Sequence, residues 1–372
     1  MTLDSRKITL NIQILQNALN FPFRDLGQFA FRQFPMLSNK TLPAEWAAQS
    51  FVQLTWPHAN TDWNYMLDEV NECFKNIALA IIKQQNLLIV CSNSADIKAL
   101  LGDVDYTRIT FTEIPSNDTW ARDHGGISVF ENEEIVIYDF KFNGWGKKFD
   151  AQLDNEITRK LSEKGIFGNS EYRDLKYFVL EGGSIESDGK GTLLTTSNCL
   201  LSENRNGATQ DEIEGKLKEF FGVSNVLWLH HGYLAGDDTD SHIDTLARLC
   251  PNDTIVYVQC KDENDEHFEE LQKMELELQA FKNVEGKPFE LVALPMADAV
   301  YNEGERLPAT YANFLIINNA VLVPTYNSPK DKIAIDQLQL VFPDREVVGI
   351  DCSSLIKQHG SLHCVSMQYP AK

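Results

Sequence analysis

Four short segments concentrate side chains that can carry chemistry. Cys364 closes the run His359-Gly360-Ser361-Leu362-His363-Cys364, and His242 and Asp244 form a His-x-Asp pair behind Gly236-Asp237-Asp238-Thr239-Asp240. Glu181-Gly182-Gly183 follows an apolar run, and Trp120-Ala121-Arg122-Asp123 joins an aromatic face to a carboxylate. Each has an ordinary reading on its own: a small core thiol, a solvated acidic turn, a tight glycine turn, an arginine paired with a surface acid. Together they supply a thiol, a histidine, three carboxylates and a tryptophan. That set suits a guanidinium, which is planar, charged at neutral pH and rich in N–H donors. Two carboxylates can grip its edges through charge-assisted bonds, a thiolate can attack its central carbon, and a histidine can protonate the departing nitrogen. The acidic loop beside His230 and His231 also suggests a metal, but ligand spacing such as His-Glu-x-x-His is absent, and no metal or organic cofactor is expected. The Glu181 turn lacks the pattern of a phosphate loop.

The elements that must hold these groups recur. Apolar residues at helical spacing run through 63–85 (Trp63, Met66, Leu67, Val70, Phe74, Ile77, Ala78, Ile81), with weaker helical runs near 150–163, 210–221, 264–281 and 329–341. Ser328-Pro329-Lys330-Asp331 is a helix start with proline near the first turn. A β-rich run follows each helix: Leu87–Val90, Tyr177–Leu180, Val226–Leu229, Phe289–Leu294 and Glu346–Ile350. Further apolar runs lie between units at Ile135–Tyr138, Thr192–Thr196, Thr254–Gln259 and Phe314–Val323. The rhythm predicts an α/β protein of five similar units, either an open sheet or five modules closed around a centre. The reactive segments fall just beyond strand ends, where a rigid sheet positions loops. A strand over His242–Asp244 would turn both side chains to one face.

Bulk properties narrow the class. A chain of 372 residues with 43% hydrophobic and 23% charged residues is an ordinary globular protein. A formal net charge of −21 repels phosphate backbones, so nucleic acid is excluded as a partner. The seven cysteines are odd in number and scattered, with no Cys-x-x-Cys, which fits a reducing cytoplasm. No apolar stretch approaches the length of a membrane span. Residues 1–40 read as a loosely attached leader and 41–372 as a single catalytic domain.

The ordered motifs resemble the agmatine deiminases, within the group that includes the porphyromonas-type peptidylarginine deiminases. The likeness runs from about Leu42 to Pro370. It is carried by Pro43-Ala44-Glu45-Trp46, Thr55-Trp56-Pro57, Trp120–Asp123, Phe142-Asn143-Gly144-Trp145-Gly146, Glu181-Gly182-Gly183, Gly236–Asp244, Tyr311-Ala312-Asn313-Phe314 and Gly360–Cys364. The family usually has Gly-Asn-Ile-His-Cys where this chain has Gly360-Ser361-Leu362-His363-Cys364. The resemblance implies a five-bladed α/β propeller (pentein-like) with a central active site, acting on a small-molecule guanidine; the sequence leaves a monomer and a homo-oligomer equally open. It implies Cys364 as nucleophile, His242 as general acid and base oriented by Glu181, and Asp123 and Asp244 as holders of the guanidinium. Trp120 would line the substrate channel, with Trp145 near it. The expected reaction is hydrolysis of agmatine to N-carbamoylputrescine and ammonia, a step of putrescine and polyamine synthesis. The rival readings are deimination of arginine or peptidylarginine, non-catalytic guanidine or polyamine binding, and metallohydrolase chemistry on the Asp237–Asp244 loop.

Overall fold

The computed structural model describes residues 39–372, which form one compact unit. The expected leader falls almost wholly outside the described residues. Helices form where the apolar period demands them. Over Leu67–Gln84 the buried side chains are Val70, Cys73, Phe74, Ile77, Ala78, Ile81 and Ile82, one continuous face; Asp68 and Glu69 lie in its first turn and Lys83 in its last, which suits the helix dipole. The helices Gln210–Phe221 and Pro329–Val341 each begin with a capping box, Thr209 with Glu212 and Ser328 with Asp331. The strand Asn86–Cys91 is buried on both faces, which explains its unbroken Leu-Leu-Ile-Val run.

Among the described residues the strands make five sheets of three or four strands and one two-stranded hairpin. Each of the five repeats one unit, in which a strand, a helix and a second, parallel strand follow one another. In chain order these parallel pairs are Gln49–Thr55 with Asn86–Cys91, Glu134–Lys141 with Glu171–Val179, Thr192–Thr196 with Asn225–Leu229, Thr254–Gln259 with Glu290–Pro295, and Ala320–Thr325 with Glu346–Asp351. The first strand of each pair also carries an antiparallel neighbour. These are Ile127–Glu131, Ile185–Ser187, Ala247–Cys250 and Leu315–Ile316 in four units, each just upstream of its partner. In the unit at 49–91 the neighbour is Ser366–Pro370, from the far end of the chain. The protein is therefore an α/β fold. The apolar run Phe314–Val323 divides at a tight turn into two strands, and no helix among the described residues is long and apolar enough to cross a membrane.

One local expectation fails. His242–Asp244 is not a strand: Ile243–Thr245 is a single 3-10 turn. Asp237 accepts from the backbone N–H groups of Thr239 and Ser241, and Asp240 and Ser241 both adopt positive φ, so the acidic run folds back on itself.

Candidate active site

The turn that enters each antiparallel strand delivers the polar groups. Asp123 precedes Ile127–Glu131, Glu181 precedes Ile185–Ser187, His242 and Asp244 precede Ala247–Cys250, Asn313 precedes Leu315–Ile316, and Cys364 precedes Ser366–Pro370. Five equivalent turns thus contribute to one buried cluster. Gly183 lies at its heart. A Cβ there would stand 2.7 Å from Nδ1 of His242, 2.8 Å from Oδ1 of Asp123 and 3.1 Å from Oδ2 of Asp244. Glycine is needed at 183 because three functional side chains converge on the space a methyl group would fill.

Asp123 is oriented by two donors, the Trp145 indole N–H to Oδ2 at 2.9 Å and the Gly183 N–H to Oδ1 at 3.0 Å. Its Oδ1 also lies 3.6 Å from Nδ1 of His242. Burial, reinforced by the Asp244 charge, pushes its carboxyl well above the usual range. Asp244 behaves oppositely. Burial raises it, but its 2.7 Å bond to Nδ1 of His363, together with the nearby His363, His242 and Arg248 side chains, outweighs that and lowers it overall. Oδ1 of Asp244 is buried without a partner. Burial holds His242 down to about 3, so its ring is neutral.

Cys364 is 6% exposed, and its Sγ lies 3.4 Å from Oδ1 of Asn313. Burial and the neighbouring Asp244 and Asp123 push the thiol well above its ordinary range. All seven cysteines are free thiols. A pocket opens over Cys364 and is lined by both expected tryptophans, Trp120 and Trp145, with Asp62, Asp118, Asp237 and Asp238 among its other walls. The Trp120 ring packs edge to face on Trp145 at 6.2 Å and closes directly on Gly360, where a Cβ would come within 2.1 Å of the indole.

Glu181 lies close to His242 but is not hydrogen-bonded to it. Ligand atoms of Glu181, Cys199 and His242 lie within 4.8 Å of one another, while Oε2 of Glu181 and Nε2 of His242 are both buried without partners. Oε1 of Glu181 accepts from Nε of Arg205 at 2.8 Å, and Arg205 continues to Asp240 at 2.7 Å. A second trio, Glu45, Glu186 and His363, has similar metal-like spacing. Arg248 occupies it, with Nη2 2.6 Å from Glu45 and Nε 2.5 Å from Glu186. In both trios an arginine already sits on a carboxylate.

All the residues singled out from sequence are brought together: Cys364, His242, Glu181, Asp123, Asp244, Trp120 and Trp145. Arg122 is not a surface residue; it is 4% exposed and donates from Nε to the carbonyl of His363 at 3.5 Å. Arg205, Asn313 and the Glu45–Arg248 pair were not anticipated. Asn313 had a usable signal, since it stands at the turn of its unit that corresponds to Glu181 and His242 in theirs. Arg205 had none, because it comes from an irregular loop.

A thiol, a neutral histidine and paired carboxylates thus meet beside one pocket on an α/β scaffold. Residues 41–370 match the model of the porphyromonas-type peptidyl-arginine deiminases, and the chain belongs to that family. Agmatine deiminase of Ectopseudomonas mendocina is 33% identical over 356 residues, spanning 89% of this chain and 95% of that one. A Porphyromonas gingivalis structure with the provisional name arginine deiminase superposes with a TM-score of 0.86 at 55% identity, covering 89% of this chain and 98% of its own. A substrate-bound cysteine-to-serine variant of Campylobacter jejuni agmatine deiminase superposes with a TM-score of 0.84 at 39% identity, covering 89% and 96%.

Proposed function

We propose that the protein hydrolyses agmatine to N-carbamoylputrescine and ammonia through a covalent intermediate on Cys364. Asp123 and Asp244 hold the guanidinium, the free Oδ1 of Asp244 being one acceptor for its N–H groups. The Cys364 thiolate forms a bond to the guanidinium carbon, and the bond to a terminal nitrogen breaks. Because the thiol rests protonated and His242 rests neutral, the proton that ammonia carries away is the one the thiol gives up, passed through His242. The bound guanidinium supplies positive charge that favours the thiolate. Water then attacks the thiouronium carbon and gives one proton to His242, which returns it to the departing Cys364 sulfur as the C–S bond breaks; the other proton goes to solvent and N-carbamoylputrescine is released. Glu181, fixed by Arg205, orients His242 once the substrate is seated.

One observation carries the choice of agmatine. The pocket walls include Asp62, Asp118, Asp237 and Asp238 and no lysine or arginine; Lys141, Lys147 and Lys148 line only the adjoining cavity beyond Trp120 and Trp145. Lys148, the cation nearest in sequence to Trp145 besides Lys147, is engaged with the Asp238 carbonyl at 2.7 Å and the Asp240 carboxylate at 2.9 Å. An alkylammonium tail is welcome there and the α-carboxylate of arginine is not. Relatives named agmatine deiminase support the reading, while the arginine deiminase name of the 55% identical relative favours arginine as the second candidate. The five repeated units, each contributing from the same turn, also support their arrangement as blades of a five-bladed propeller, and residues 41–372 as one catalytic domain.

Steady-state kinetics with agmatine, arginine and a peptidylarginine test the substrate. Burying an unpaired carboxylate costs several kcal/mol, so agmatine should lead arginine in kcat/KM by more than about a hundredfold. Comparable values for arginine overturn the substrate assignment. Cys364→Ala should abolish turnover with the fold intact, and retained turnover overturns the mechanism.

A further inference from the structure

His363 precedes the nucleophile and is clamped between two carboxylates. Its Nδ1 lies 2.7 Å from Oδ2 of Asp244, and its Nε2 lies 2.7 Å from Oε2 of Glu45. The ring is 1% exposed, and the backbone is pinned as well: the N–H donates to Oδ1 of Asn313 at 2.9 Å. A neutral imidazole has one N–H and one lone pair, whereas two anionic acceptors call for two donors. Nη2 of Arg248 also comes within 3.1 Å of Nε2, a contact that a neutral ring could accept. The shorter distances decide against it. Nη2 is already 2.6 Å from Oε2 of Glu45, and a ring lone pair facing that same oxygen at 2.7 Å would be repelled.

The surroundings extend this into a buried ladder of alternating charge: Glu186, Arg248, Glu45, His363, Asp244. Arg122 donates to the backbone carbonyl of His363 from a second turn, and Asp123, His242 and Cys364 lie on the substrate side. We propose that His363 is a positioning residue, a buried imidazolium that holds Oδ2 of Asp244, keeps that carboxylate ionised before substrate arrives, and leaves Oδ1 turned to the guanidinium. This rests on Asp244 being a guanidinium holder and adds what prepares it. The two carboxylates in the substrate cleft differ for this reason. Asp123 has two neutral N–H donors and is pushed up, while Asp244 has His363 and is lowered despite equal burial.

Neutron diffraction from crystals of the wild-type protein reads the ring directly. Deuterium on both Nδ1 and Nε2 is expected, and a single occupied nitrogen overturns the proposal whatever the enzyme's substrate. His363→Gln tests the consequence while keeping one N–H donor. Without the imidazolium, burial acts on Asp244 with only the weaker pull of His242 and Arg248 against it. Its ionisation then requires higher pH, and the acid limb of kcat/KM for agmatine should move up by about one pH unit or more. Loss should be largest at low pH, fall mainly on KM and be recovered as pH rises. An equal loss at every pH marks a merely structural histidine and overturns the proposal. Absence of any turnover by the wild type defeats the agmatine reading, while the neutron map still decides the protonation of His363.

Discussion

Cys364 rests in surroundings that oppose its own reactivity. Burial disfavours a thiolate, and two carboxylates face it with no cation between them until substrate binds. The sign of the effect is testable. A thiol raised above its ordinary range gains thiolate only as pH climbs beyond that range, so inactivation of the free enzyme by iodoacetamide should rise about tenfold per pH unit from 7 to 9, in step with thiolate fraction. A plateau below pH 8 would show that the resting thiol is already ionised and that substrate charge is not needed to activate it. At this scale the sequence was informative where residue type alone marks chemistry: a cysteine behind glycine and histidine, a His-x-Asp, a Glu-Gly-Gly. It was silent on what tunes those groups. Glu45 reaches His363 from 318 positions away, and Arg205 reaches Glu181 across 24. Such pairs arise from the fold and leave no local spacing to read.

The element that presents Trp145 is unusual. Gly144, Trp145, Gly146 and Lys147 all adopt positive φ, between 52° and 88°, so the chain makes one left-handed turn. That conformation costs a non-glycine residue about 1–2 kcal/mol, borne here by Trp145 and Lys147. Glycine at 144 is obligatory, since a Cβ would meet the Phe149 carbonyl oxygen at 2.1 Å. The strain serves to point the Trp145 N–H at Asp123. Trp145→Phe keeps the ring's bulk but removes that donor. A hydrogen bond to a buried carboxylate contributes about 1.5–3 kcal/mol, so kcat/KM should fall roughly ten- to a hundredfold with little change in Tm. Unchanged kinetics would reduce the turn to packing. Periodicity exposed the five helices and their following strands because each buries a continuous face. It could not expose this turn or the Asp237–Asp244 loop, whose shape is set by side chains bonding their own backbone and by positive φ.

For the whole molecule, the placement of Cys364 depends on the pairing of distant parts of the chain. The strand Ser366–Pro370 begins two residues after the nucleophile and lies antiparallel to Gln49–Thr55, with Met367 opposite Gln53 and Tyr369 opposite Phe51. Tyr369 stacks on Phe51 at 4.8 Å, touches Phe167 at 5.1 Å and donates its hydroxyl to Gln53 at 3.0 Å. Met367 packs close behind Gly125 and Gly182, beside the turns that carry Asp123 and Glu181. The strand that completes the sheet at 49–91 therefore sets the nucleophile's position relative to its partners. Removing the Tyr369 ring should cost about 3–5 kcal/mol, as for other buried aromatic truncations, whereas losing only its hydroxyl should cost about 1 kcal/mol. Tyr369→Ala should accordingly shift the denaturant midpoint far more than Tyr369→Phe. Because Cys364 rides on this strand, activity and tryptophan fluorescence should be lost together in both variants. Loss of activity at distinctly lower denaturant than fluorescence would mean that the strand frays by itself, and that the site is held by its local turns rather than by the pairing of Ser366–Pro370 with Gln49–Thr55.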